Sequence, residues 1–224
     1  MSELPAGAQP WVHDVARGIA RWLYRPALRI KVHGVDRVPP TGPVVLIANH
    51  SSAIEPQLIF GLLPRRSVFL VKQEMFRGVA GWGLRLIGQL AVRRGEPDRT
   101  PLLTAVQVLR AGGLVGVFPE GTRGDGDVRS AEQGAAWLVR ASGAVVLPVA
   151  NRGTRRPAEV RRRRFRPAVD VLFGEPFTVE VKHGRAGLAE ATELMRQRLA
   201  GTVEELDAWR DAHGRTDAKR NERR

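Results

Sequence analysis

The 224-residue sequence contains no cysteine, and this absence removes two classes of site. Without cysteine the chain forms neither a disulfide framework nor a Cys-ligated metal centre. The histidines do not replace such ligands, because His13, His33, His183 and His213 are scattered and lack the helical His-Glu-x-x-His spacing of zinc hydrolases. We therefore expect no metal and no cofactor.

Long apolar runs are also absent. No segment approaches the roughly 20 apolar residues that span a bilayer. The N-terminus lacks the basic and then apolar order of a signal peptide. These patterns predict a cytoplasmic protein that is soluble or attached to a membrane surface.

Acidic residues are in deficit, with 23 against 36 basic residues and a formal net charge of +13. Such a surface attracts anionic lipid headgroups, phosphorylated thioesters, an acidic carrier protein or nucleic acid, and charge alone does not choose among them. Aromatic residues are only 6% of the chain, which disfavours nucleic-acid binding by base stacking. The basic runs at 161–166 and 213–224 fit either solvated segments or an anion-binding surface.

Short apolar runs alternate with helical patterns along the chain. This order predicts an α/β fold with a mostly parallel or mixed central sheet covered by helices. We expect an N-terminal amphipathic segment over 1–28, whose first nine residues are disordered, a main domain over 29–210, and a basic, disordered tail over 211–224. The helix predicted over 10–24 carries two tryptophans and several arginines, so it fits both an interfacial helix and a helix packed on the core.

Two polar segments follow buried strands and should reach the same edge of the sheet. The segment Asn49–Pro56 follows the apolar run Val44–Ala48, and Phe118–Arg123 follows a second apolar run. In open α/β sheets, ligands bind beyond the carboxyl ends of the strands. An imidazole and a carboxylate on one loop can therefore face an arginine on the other, an arrangement suited to acyl transfer onto a phosphorylated alcohol.

His50 is the predicted general base, because an alcohol needs to lose its proton to attack a thioester at neutral pH. Glu55 would hold the other ring nitrogen and fix its tautomer. Glu55 also completes a capping-box pattern that starts at Ser52, so a purely structural role stays open. The sequence has no Gly-x-Ser-x-Gly elbow, so no serine nucleophile is expected. Ser51 and Ser52 are instead expected to cap the helix.

The motifs resemble those of the glycerolipid acyltransferases. His50, four intervening residues and Glu55 resemble the first motif, whose usual acid is Asp, and the segment from Phe118 to Arg123 resembles the third. The second motif is matched by 88–94 and the fourth by 145–149. The order and spacing agree over roughly residues 30 to 180, which is more specific than any single match.

The resemblance implies an O-acyltransferase that moves a fatty acyl group from acyl-CoA or acyl carrier protein to 1-acylglycerol 3-phosphate, giving phosphatidic acid without an acyl-enzyme. It also implies attachment to the anionic inner face of the cell membrane. Both Glu55 and Arg93 stand where the family usually has Asp, so another lysophospholipid or a non-glycerol acceptor stays open. A non-catalytic protein that binds anionic lipid or nucleic acid, with its arginines serving only as an anion surface, is the alternative from a different class. The implied acceptor and phosphate site comprises Arg94, Arg123, Glu120, Gly121 and Thr122, and Pro148 is expected beside the acyl chain.

Overall fold

The computed structural model describes residues 3–93, 99–121, 124–155 and 165–215. Within those ranges, seven strands form one sheet and the helices pack around it. The strands are β1 (Arg29–His33), β2 (Val44–Ala48), β3 (Ser67–Lys72), β4 (Leu90–Val92), β5 (Leu114–Val117), β6 (Val145–Arg152) and β7 (Ala168–Phe173). The helices are α1 (Pro10–Leu23), α2 (Glu55–Leu62), α3 (Gly78–Leu86), α4 (Thr100–Arg110), α5 (Gly134–Ser142) and α6 (Gly184–Ala212), with short 3-10 turns at Val35–Arg37 and Gln73–Phe76.

The sheet is mixed, with strand order β1-β7-β6-β2-β5-β3-β4. Strands β6, β2, β5, β3 and β4 run parallel, whereas β7 is antiparallel to β6 and pairs in parallel with β1. Every residue of the central strand β2 is buried, because helices cover both faces of the sheet. The predicted α/β fold with a mixed, helix-covered sheet is confirmed, and the carboxyl ends of five parallel strands share one edge.

Helix α1 is attached to the face of the sheet that α2 covers. Ala20 lies so close to Gly61 of α2 that a Cβ at position 61 would come within 2.5 Å of the next backbone nitrogen of α1. His13 is fully buried, with Nδ1 2.7 Å from the Ile87 carbonyl oxygen and Nε2 accepting from the Ser67 amide at 3.3 Å. Burial lowers the pKa of His13, which favours the neutral ring in this site. One face of the amphipathic helix is therefore part of the core.

The ends of the chain depart from the prediction. The predicted disorder of the first nine residues is wrong for residues 3–9. Leu4 is buried in the core, and the Gln9 backbone amide donates to the Leu86 carbonyl. The predicted boundary at 210/211 falls inside α6, and Arg215 beyond it donates to buried Asp170 at 3.0 Å. A buried carboxylate needs cationic or polar partners, which is why this stretch of basic chain is ordered. Residues 216–224 lie outside the described part of the chain.

A glycine in β5 makes room for an aromatic stack that reaches the carboxyl edge of the sheet. A Cβ on Gly116 would lie 2.3 Å from the Phe69 ring, and Phe69 is 2% exposed and cannot swing away. The Phe69 ring lies 6.2 Å from the Phe118 ring, centroid to centroid. The Phe118 ring in turn lies 4.6 Å from the His50 ring. Glycine at this central strand position therefore permits the packing beneath His50.

Replacing Gly116 with alanine should destabilise the fold by about 1–3 kcal/mol, because the added methyl overpacks the Phe69 site. The measurement is the free energy of unfolding in urea. Gly201→Ala is the matched control, since Gly201 lies within α6 and faces open space. That control should gain up to about 1 kcal/mol from helix propensity. Equal effects of the two substitutions would contradict the packing explanation.

Candidate active site

Glu55 is the first residue of α2, and its carboxylate is fully buried beside His50. Its Oε2 accepts from the Ser51 amide at 2.8 Å and lies 2.9 Å from His50 Nδ1. Its Oε1 accepts from the Ser51 hydroxyl at 2.6 Å and from the Thr154 hydroxyl at 2.5 Å. The structure therefore brings together the two residues that the sequence predicts to pair.

The start of α2 differs from the capping prediction. Its N-cap is Ile54, which makes no side-chain capping hydrogen bond, and the Ser51 hydroxyl is directed at Glu55 instead. The expectation that Ser51 and Ser52 cap the helix with their own side chains is therefore wrong. Glu55 contacts the His50 ring and also stabilises the backbone amides of Ser51 and Ser52. The carboxylate thus pairs with His50 and holds the loop amides, whereas the capping box expected from Ser52 is not formed because Glu55 is the first residue of α2.

The electrostatics of Glu55 fix the orientation of the histidine. Burial by itself raises the pKa of this carboxyl, but the hydrogen bonds from His50, Ser51 and Thr154 outweigh it and leave the pKa below its usual value. The carboxylate is thus ionised at neutral pH. It accepts a hydrogen bond from His50 Nδ1, which therefore carries the ring proton. The opposite nitrogen, Nε2, then carries the lone pair that a general base needs.

The segment after β5 holds the backbone of His50 from both sides. Glu120 Oε1 accepts from the His50 amide at 2.7 Å, and the Gly124 amide donates to the His50 carbonyl at 3.0 Å. Burial raises the pKa of Glu120. Gly121 turns the chain at a φ of 67°, and its amide donates to the Phe118 carbonyl at 3.2 Å. Glu120 and Gly121 therefore shape the loop that carries His50.

A pair of buried asparagines joins the ends of β2 and β6 and was not predicted as part of the site. The backbone amide of Asn151 donates to Asn49 Oδ1 at 2.8 Å, and the Asn151 side-chain Nδ2 donates to the backbone carbonyl of Asn49 at 2.9 Å. Asn49 Nδ2 donates to the Gly126 carbonyl at 3.1 Å. Asparagines at the ends of two apolar runs could mark candidate site residues in the sequence. The sequence does not show, however, that the two strands are neighbours.

The remaining predicted site residues are placed as follows. Arg94, Thr122 and Arg123 lie outside the described residues. Pro148 is buried in the middle of β6, in register with Ile47 of β2, and its carbonyl accepts from the Gly174 amide at 2.9 Å where the ladder with β7 ends. A residue without an N–H is tolerated there because no further β7 residue needs that donor.

Comparisons with known proteins identify the family of this chain. The family model described as Acyltransferase matches residues 29–152, which is more than half of the chain. The chain belongs to the acyltransferase family. The matched range includes His50, Glu55 and residues 118–121 and 124–133 that follow β5.

Individual relatives and a solved structure also carry acyltransferase names. The chain is 27% identical over 183 residues to the 1-acyl-sn-glycerol-3-phosphate acyltransferase of Bacillus subtilis, covering 80% of this chain and 90% of the relative. It is 26% identical to the enzyme of that name from Pseudomonas aeruginosa, covering 84% and 74%. The crystal structure of the 1-acyl-sn-glycerophosphate acyltransferase PlsC from Thermotoga maritima superposes with a TM-score of 0.68 at 26% identity, covering 88% and 79%.

Replacing Glu55 with glutamine should lower the free energy of unfolding by about 1–3 kcal/mol at pH 7, because buried donors lose a charged acceptor. Since folding depresses the pKa of Glu55, its contribution is present above its unfolded pKa of about 4.5 and is lost as the pH falls through the lower folded value. The stability gap between wild type and Glu55→Gln should therefore narrow in acid. Urea unfolding at pH 7, 4 and 3 measures it.

The exposed Glu190, which pairs with Lys182 at 3.1 Å, supplies the control. Glu190→Gln should change the free energy of unfolding by less than about 1 kcal/mol at pH 7, as surface ion pairs do. If the difference in unfolding free energy between the wild type and Glu55→Gln stays constant between pH 7 and 3, the carboxylate is not held ionised by its donors.

Proposed function

We propose that this acyltransferase acylates the free hydroxyl of 1-acylglycerol 3-phosphate and yields phosphatidic acid, with His50 as the general base. The observation that carries the proposal is the 2.9 Å contact between His50 Nδ1 and a fully buried Glu55. Relatives that bear the name of this activity support the acceptor. The donor is acyl-CoA or acyl carrier protein, used as a co-substrate without a resident cofactor.

The reaction follows from the orientation of the imidazole. His50 Nε2 takes the proton of the acceptor hydroxyl as its oxygen attacks the thioester carbonyl. The tetrahedral intermediate then collapses, the C–S bond breaks, and the imidazolium returns the proton to the thiolate. Glu55 stabilises the imidazolium and does not itself take the proton.

A covalent acyl-enzyme is unnecessary in this scheme. The hydroxyl nearest to the base in sequence, that of Ser51, donates to Glu55 at 2.6 Å. It is therefore engaged with the carboxylate and not with the Nε2 side of His50. Direct attack by the acceptor alcohol is the simpler route.

The phosphate of the acceptor is assigned to Arg94 and Arg123, because guanidinium groups match phosphate oxygens with paired donors. Thr122, Glu120 and Gly121 complete the acceptor loop in this proposal, and Pro148 is assigned to the acyl side. Support from the described residues is the Glu120 contact with the His50 amide, which ties this loop to the base.

The test is thiol release from acyl-CoA donors with and without lysophosphatidic acid. His50→Ala should lower acceptor-dependent kcat by about 10²- to 10⁴-fold, the usual contribution of a general base, with little change in the acceptor KM. His183→Ala is the control, since His183 is exposed at the start of α6. Unchanged kcat in His50→Ala would disprove the base, and no release by the wild type with any donor would favour a carrier-protein donor or a binding protein.

Attachment to an anionic membrane is part of the same proposal, and the outer face of α1 supports it. Trp11, Ile19 and Trp22 are 60–68% exposed along one side of this helix, while the opposite side packs on α2. The Arg25 guanidinium lies 4.3 Å above the Trp22 ring. Apolar and aromatic residues flanked by arginine suit the interface of an anionic bilayer. No helix in the described ranges is long and apolar enough to span a membrane.

Replacing both Trp11 and Ile19 with alanine should weaken binding to phosphatidylglycerol-containing vesicles by at least about tenfold, because each large apolar side chain contributes roughly 1.5–3 kcal/mol when buried. Vesicle sedimentation measures the partitioning. Leu103→Ala is the matched control, since Leu103 is 54% exposed on α4 at the opposite face of the sheet. Equal binding of the double variant and this control would remove α1 from the membrane contact.

A further inference from the structure

Thr154 contacts the buried carboxylate from a distant part of the chain. Its hydroxyl donates to Glu55 Oε1 at 2.5 Å, and the residue is 5% exposed. The other hydrogen bonds to this carboxylate come from His50, Ser51 and Ser52, which lie in the loop that leads into α2. Among the described residues, Thr154 is thus the hydrogen-bond donor that ties Glu55 to the turn after β6.

The position of Thr154 is fixed by the end of β6. The preceding Gly153 has a φ of 85°, and a Cβ there would lie 2.0 Å from the Ala168 carbonyl oxygen. Arg152, one residue earlier, is held by Asp207 of α6 at 2.8 Å. Because the sheet and α6 both hold this turn, the threonine hydroxyl is a fixed point against which the carboxylate is oriented.

The Thr154 hydroxyl, which lies in the turn after β6, also has an electrostatic consequence. Ser51 lies in the loop that leads into Glu55, so its hydrogen bonds alone do not connect the carboxylate to the turn after β6. Thr154 adds a donor to an anion without exposed surface, and its hydrogen bond is one of those that lower the pKa of Glu55. The titratable groups that face this carboxylate are His50 and, across the His50 amide, Glu120.

We propose that Thr154 is a positioning residue for the reaction, which anchors Glu55 to β6 and thereby sets the plane and depth of the carboxylate against the His50 ring. The inference rests on the proposed function, because it assigns to Thr154 an effect on the His50 base. It acts through Glu55 and does not touch the reacting atoms.

The first test compares Thr154→Val, which keeps the shape and removes the hydroxyl, with Thr154→Ser, which keeps the hydroxyl. Thr154→Val should lower kcat by about 10- to 100-fold, as expected for a lost hydrogen bond to a charged group, with the acceptor KM within about twofold. Thr154→Ser should restore kcat to within about threefold of the wild type, since its hydroxyl can make the same bond. Equal losses in the two variants, or kcat near the wild-type value in Thr154→Val, would overturn the proposal.

The pH profile of kcat/KM separates positioning from simple packing. Thr154→Val removes one of the hydrogen bonds that lower the pKa of Glu55, so this carboxylate should take up a proton at higher pH and the acid limb should move to higher pH. A merely structural threonine would lower the whole profile without moving that limb. Thr154→Ala provides a second variant in case valine impairs folding, and it should show the same displacement.

A double-mutant cycle with Glu55→Gln tests whether Thr154 acts through the carboxylate. The Thr154→Val substitution should have less than about a twofold further effect once Glu55 is neutral, because the two residues act as one unit. If Thr154→Val lowers kcat as much in the Glu55→Gln background as in the wild type, the proposal is overturned. If His50→Ala is inactive while Thr154→Val behaves as the wild type, this inference fails and the base stands. If His50→Ala retains activity, the proposed function loses its base whatever Thr154 does.

Discussion

The interaction on which the rest of the site depends is the burial of the Glu55 charge. A carboxylate without exposed surface requires several donors, since each missing one carries a desolvation cost of about 1–3 kcal/mol. Those donors come from the loop after β2 and from the turn after β6. The charge is therefore stable only when these strands are neighbours in parallel register, as the sheet places them. The chemistry of the site and the topology of the sheet are linked through one side chain.

His50 is held by its backbone as firmly as by its ring. Its amide and its carbonyl are both bonded to the segment after β5, while its ring lies between Glu55 and Phe118. The Asn49–Asn151 pair fastens the base of the loop to β6. An imidazole preorganised in this way would require little rearrangement in the proposed role of general base, when charge develops in the transition state. The three strands β2, β5 and β6 thus contribute different restraints to a single imidazole.

Much of this arrangement could be predicted from local patterns. Apolar runs bounded by turn residues located β2 and β5, and the motif spacing placed His50 and Glu55 at a strand end, where the structure pairs them. The ordered ends at 3–9 and 211–215 were missed, because loop-like or basic composition conceals a buried contact such as that of Leu4. Thr154 was missed because its role depends on strand order, which no local pattern encodes.

The position of α2 connects the two halves of the proposed function. Glu55 begins this eight-residue helix, and Gly61 near its other end packs directly against Ala20 and Arg21 of α1. A helix of that length spans about 12 Å and does not bend readily. The exposed apolar face of α1 and the carboxylate that orients His50 are thus held by one short rigid element. If α1 lies on a bilayer, α2 sets the height of the base above it, so the acceptor hydroxyl meets His50 at a depth fixed by helix packing and not by a flexible linker.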